Sequence, residues 1–168
     1  MGEISAEKCC KAIAESINHA LTKTKNVVVL LENMAGQGNW VGSNFKDLGL
    51  IISHIEDKSR IGVCLDTCHA FAYGYGLNTN AGLQRMINDF KKHVGLEYLK
   101  AMHINDSKGA CGDHKDRHED IGKGVIGKAG FKLIMKEEAF KGIPLILETP
   151  GGHYDREIKL LHDMAASK

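Results

Sequence analysis

Ile61-Gly-Val-Cys-Leu-Asp66-Thr-Cys-His69 opens as a short run of β-branched and apolar residues and closes on an acid and an imidazole. The apolar run reads as a strand buried on both faces, the habit of strands in a parallel sheet. An acid and a histidine just past such a strand stand where parallel α/β enzymes assemble their sites, beyond the carboxyl ends of the strands. Both are side chains that hold metals.

Working outward, the chain repeats this unit. Before it, Ala6, Cys9, Cys10, Ile13, Ile17, Ala20 and Leu21 recur at helical spacing from Ser5 to about Thr22, with Ser5 as an N-cap. Asn26 to Asn33 carries the apolar strand Val27-Val-Val-Leu-Leu31, stopping at Glu32 and opening into a glycine-bearing loop at Ala35 to Asn39. Leu48, Ile51, Ile52 and Ile55 mark a second helix, and Leu83, Met86, Ile87, Phe90 and Val94 a third. A strand from Tyr98 to Ile104 carries His103 near its end. Residues 105–127 lack an apolar period and read as one long functional loop centred on Asp113 to His118. A helix from about Lys128 to Phe140, a strand over Ile143 to Leu147 ending at Glu148, and a helix around Ile158, Leu161 and Met164 complete the chain. Alternating helices and strands predict α/β architecture with parallel βα units, and nothing divides residues 1–168 into more than a single domain.

Composition narrows the class. The 168 residues are 43% hydrophobic, enough for a folded core. Lys and Arg total 22 against 21 Asp and Glu, so the overall charge does not point to nucleic acid, and any such contact belongs to local loops. Five cysteines without zinc-finger spacing read as reduced thiols of an intracellular protein. No apolar run reaches a membrane span and the first residues lack a secretory signal, so the sequence reads as soluble and untargeted.

Glu32, Asp66, His103 and Glu148 end four successive strands, so a parallel sheet brings them to one end of the fold. Carboxylates with imidazole suit zinc or a similar divalent ion, and two ions need a bridging carboxylate. Asp116 and His118, two apart in an extended loop, share one side and reach the same ion as His69. His114, His153 and Asp106 are supporting or surface residues on this reading. His19, His54, His93 and His162 are helix surface residues, and Cys64 and Cys68 pack rather than ligate.

Five ordered blocks resemble the endonuclease IV family of apurinic/apyrimidinic endonucleases. They are Leu31 to Gly38, Gly62 to Ala72, Met102 to Lys108, Asp116 to His118 with Gly122 to Gly127, and Pro144 to Thr149. The resemblance implies a TIM barrel, of which this chain carries only the last four strands and their helices, a partial barrel. It implies a trinuclear zinc site cutting double-stranded DNA on the 5′ side of abasic sites, in base excision repair. Carried over, Glu32 bridges two zincs, Asp66, His103 and Glu148 complete the second, and His69, Asp116 and His118 hold the third. Glu32 and Glu148 are the catalytic carboxylates by the same resemblance, and no organic cofactor is implied.

One departure accompanies the match. The family's first zinc takes two histidines from strands preceding the Glu32 block, where this chain has only His19, in mid-helix. The sequence therefore predicts a truncated form with little or no activity alone, and open sheet edges through which it self-associates. Two alternatives stand beside the nuclease. One is a single-metal sugar isomerase or epimerase of the same barrel superfamily, which lacks the set around His69. The other is a non-catalytic truncated form. A repair role places the protein in the nucleus or the mitochondrion.

Overall fold

The computed structural model describes residues 4–38 and 40–167. Ser5 caps the first helix, α1 (Ala6–Lys23), its hydroxyl accepting the Lys8 N–H at 3.3 Å. There follow β1 (Val29–Glu32), α2 (Phe45–Ser53), β2 (Ile61–Asp66), α3 (Thr67–Tyr73), α4 (Asn80–His93) and β3 (Leu99–His103). Then come β4 (Asp106–Ser107), β5 (His118–Glu119), α5 (Gly127–Lys136), β6 (Leu145–Ile146) and α6 (Tyr154–Ala166).

β1, β2, β3 and β6 form one sheet in that order, every pairing parallel. Parallel neighbours require crossovers, and the helices supply them. Ile61, Val63 and Leu65 of β2 are buried in one cluster with Leu48 and Ile51 of α2 and Leu83, Met86 and Phe90 of α4. Phe45 stacks on Tyr75 at 5.3 Å and meets Phe90 edge-on at 5.2 Å. This layer fixes the strands, and so their ends, relative to one another.

The outer strands are less covered. Among the described residues β1 and β6 each pair on one side only; Leu30 and Ile146 along them are 38% and 46% exposed, and Val28 just before β1 is 49% exposed. At Gly62, on the neighbouring strand, a side chain would collide with Leu30 and Lys100. Among the described residues no helix is long and apolar enough to cross a membrane.

Four details differ from the sequence expectation. The long loop over 105–127 contains an antiparallel ladder, Asp106 facing Glu119 and Ser107 facing His118, too short to show a period. A helix, α3, starts at once after β2, because Asp66 itself serves as its N-cap. The helix expected to reach Phe140 stops at Lys136, with a separate 3-10 turn over Glu138–Phe140. The last strand is regular only over Leu145–Ile146, both exposed at the sheet edge.

Candidate metal centre

Three strands end on a candidate ligand: β1 on Glu32, β2 on Asp66 and β3 on His103, with Asp66 and His103 in register. Glu148 follows two residues after β6. Donor atoms of Glu32, Asp66, His103 and Glu148 all lie within 4.8 Å of one another. His103 Nδ1 stands 3.0 Å from Glu32 Oε1 and 3.1 Å from Glu148 Oε2.

A second set joins the first turn of α3 to the start of β5 and the loop just before it. His69, Asp116 and His118 also bring donor atoms within 4.8 Å. His69 Nε2 and His118 Nε2 each lie 3.2 Å from an Asp116 oxygen, yet neither nitrogen has a hydrogen-bond partner and both are buried. Their other nitrogens are engaged: His69 Nδ1 is 2.8 Å from the Asn33 carbonyl and His118 Nδ1 is 3.3 Å from the Glu148 carbonyl. An Nδ1–H held by a carbonyl fixes the tautomer and leaves the Nε2 lone pair as a ligand. A buried polar atom left unmade costs about 1–3 kcal/mol, so two such nitrogens converging on one carboxylate fit a bound cation. Nitrogen and oxygen donors in this mixture suit zinc.

The two sets touch. Glu32 Oε1 is 3.3 Å from His69 Nδ1 as well as near His103, and Asp66 Oδ2 is 3.8 Å from His118 Nε2. Burial raises the Asp66 carboxyl above its ordinary value, against the opposing pull of His69, His118 and the Asn105 amide. Burial also works to raise Glu32, but hydrogen bonds from His69 and His103 prevail and lower it. For His69 burial works downward, and the Glu32 hydrogen bond with the Asp66 and Asp116 charges outweighs it, lifting the ring from 6.5 to about 10. The cluster is thus negative enough to hold a proton where a metal ion would sit.

Several supporting residues escape a reading based on strand ends. The Asn33 side chain accepts the Asp66 N–H at 2.7 Å and donates to the Asp66 carbonyl at 3.1 Å, locking β1 to β2. Asn105 donates to Asp66 Oδ2 at 2.7 Å and accepts the Glu148 N–H at 2.9 Å. Thr67 exchanges hydrogen bonds with the Asn105 backbone in both directions. The available signal was position: Asn33 and Thr67 directly follow Glu32 and Asp66.

The remaining candidates separate. Asp106 is fully buried, not a surface residue, and accepts the N–H groups of Ser107, Gly122, Gly124, Ile126 and Gly127. It thereby caps α5, which has no side-chain cap of its own, and shapes the loop beyond His118. Cys68 comes within 4.8 Å of donor atoms of Asp66 and His118. Burial and the Asp66 charge push its thiol up to about 12, which leaves it protonated and a poor ligand. Cys64 is buried as well, and burial with the Glu32 charge raises it likewise to about 12. His114 and His153 are exposed and belong to neither set. His19, His54 and His162 are exposed too, while His93 is half-buried.

Residues 2–167 match the sequence profile of the family described as xylose isomerase-like TIM barrel. The chain belongs to that family. It is 48% identical over 164 residues to an apurinic-apyrimidinic endonuclease of Caenorhabditis elegans, covering 98% of this chain and 41% of that relative. It is 49% identical over 166 residues to a probable endonuclease 4 of Chlorobium limicola, covering 98% and 57%. The crystal structure of endonuclease IV from Thermus thermophilus superposes with a TM-score of 0.79 at 28% identity, covering 95% of this chain and 57% of that one. The chain thus spans about half the length of relatives it matches, or less, and its four parallel strands agree with a partial barrel. The resemblance to endonuclease IV read from the five sequence blocks holds in both sequence and fold.

Proposed function

We propose that this chain carries the metal-binding half of a zinc-dependent DNA-repair endonuclease acting 5′ to abasic sites in double-stranded DNA. The observation that supports this most is the second donor set, His69, Asp116 and His118, with its two unpartnered Nε2 atoms. A single-metal sugar isomerase or epimerase uses only the first set, and has no call for the second. Relatives named as apurinic-apyrimidinic endonuclease and endonuclease 4 support the same choice.

On this reading Glu32, Asp66, His103 and Glu148 hold one zinc and His69, Asp116 and His118 another, with Glu32 facing both. Zinc, when bound, would acidify water for attack at neutral pH and offset negative charge on phosphate oxygens. The protein's own part is placement: Asn33 and Asn105 hold the ends of β1, β2 and β3 together, so the carboxylates converge without rearrangement. Glu148 has the more exposed carboxylate of the first set's outer pair, with 44% of its side chain accessible against 33% for Glu32. With Glu32 it is one of the two carboxylates we assign to catalysis.

The only histidine upstream of Glu32, His19, is exposed on α1 and joins neither set. The reading therefore gives this chain DNA binding with little or no incision alone. The half-paired β1 and β6, with exposed Leu30 and Ile146, support association of two copies through these edges. A repair role would place the protein in the nucleus or mitochondrion, which fluorescence microscopy of a tagged chain tests.

The functional test offers the zinc-loaded chain matched duplexes with and without one abasic site, and separately a ketose. Zinc-dependent preference for the abasic duplex, with little incision, is expected. Ketose turnover without that preference would overturn the nuclease reading in favour of the isomerase. Robust incision abolished by His103→Ala would instead overturn the claim of inactivity.

A further inference from the structure

Beside the metal centre stands a feature that the ligand sets leave unused. Trp40, the chain's single tryptophan, is 66% exposed, and Met34 at the start of the same loop is 39% exposed. Lone exposed apolar residues are ordinary on protein surfaces. These two are not placed at random: with Ala35 and Gln37 they line a cavity of about 250 Å³ whose other walls are His69 and Asp116.

The loop that carries Trp40 is fastened at its base and along its length. Met34 N–H donates to the Gly42 carbonyl at 3.0 Å, and Gly42 N–H donates to Asp47 Oδ2 at 3.0 Å. Gly36, at φ 86°, lies against the His114 ring and Tyr73, where any side chain would clash. Near the tip, the pyrrole edge of the Trp40 indole lies over Gly38, where a Cβ would come within 3.3–3.4 Å of it. A large aromatic ring held on an anchored loop, with water on one side and a metal-ligating wall on the other, is prepared to receive a flat apolar partner.

We propose that Trp40 is a specificity-determining residue that stacks on a nucleobase flanking the abasic site. Losing a base leaves each neighbour with a π face that no longer has a stacking partner. An indole can cover such a face whatever its sequence, because every base presents one. The cavity places this contact beside the phosphate that the metal centre would engage. Intact duplex, with its bases stacked on one another, offers no equivalent face. This inference rests on the abasic-DNA reading given above.

The chain reports on itself, since its tryptophan emission comes from Trp40 alone. The full zinc-loaded chain is titrated with end-labelled duplexes, one bearing a tetrahydrofuran abasic analogue and one intact, while anisotropy of the label and tryptophan emission are followed together. Expected is emission quenching that tracks binding of the abasic duplex only. Trp40→Ala should weaken that binding about 5- to 150-fold, the equivalent of about 1–3 kcal/mol for a stacked base, and Trp40→Phe should weaken it less. Zinc content and circular dichroism should be the same in all three proteins. If the abasic duplex binds with unchanged emission and equal affinity for Trp40→Ala, the stacking role is overturned while the abasic-DNA reading stands. Equal quenching by intact duplex overturns recognition of the gap. Failure to bind either duplex overturns both.

Discussion

Asp66 Oδ1 accepts the main-chain N–H of His69 at 2.8 Å. One carboxylate thus ends β2, caps α3 and faces both donor sets, while the helix it starts carries His69 into the second set. Asp66→Ala should destabilise the metal-free chain by about 1–3 kcal/mol, because the His69 N–H and the Asn105 amide lose their acceptor in a buried site. Urea denaturation measures this, and an unchanged midpoint and slope would refute the dual role.

The charge balance predicts opposite pH responses with and without metal. The folded-state value of His69 lies above its ordinary 6.5, at about 10. Its contribution is fully present below pH 6.5 and is lost as pH rises through 10. Glu32 is depressed, so its contribution is present above its ordinary 4.5 and is lost as pH falls below that. The metal-free chain should therefore melt lower at pH 8.5 than at pH 6. Ligands must shed protons to bind metal, so zinc should stabilise more at pH 8.5 than at pH 6. Calorimetry in buffers of differing ionisation heat should reveal proton release on zinc binding, and a buffer-independent heat would oppose this account.

Asp106 is predicted to act at a distance. Its buried carboxylate gathers backbone N–H groups from Ser107 to Gly127, and β4 pairs with the strand that carries His118. Asp106→Ala should speed amide hydrogen exchange across 118–127 and weaken zinc binding at the His69, Asp116 and His118 set more than at the Glu32 set. Uniform exchange rates between the variant and the parent would remove Asp106 from this role.

Much of this arrangement is legible in the sequence because parallel strands leave a strong trace. β2 is a continuous apolar run and its end is abrupt, so Asp66 stands out, and Glu32 and His103 repeat the pattern. Where the trace failed, the structure depends on hydrogen bonds that have no period. Asp106 reads in sequence only as a supporting or surface residue, since its partners are backbone groups up to 21 residues away, at Gly127. Asn33 and Asn105 received no role from the sequence, although they tie three strand ends together. The hairpin of β4 and β5 is two residues long on each side, shorter than any pattern can register.

The open edges predict a concentration-dependent assembly. Replacing Leu30 and Ile146, both exposed on the outer strands, with lysine should shift the chain to monomer in light scattering, with zinc content unchanged. A parent chain that is already monomeric at high concentration would contradict the association.

The central claim is that two donor sets, not one, hold metal. Native mass spectrometry of the zinc-loaded chain should find two ions per chain, one for each set, and His118→Ala should retain one. A single ion in the parent chain, unaffected by His118→Ala, would contradict the two-centre account and favour a one-metal isomerase site.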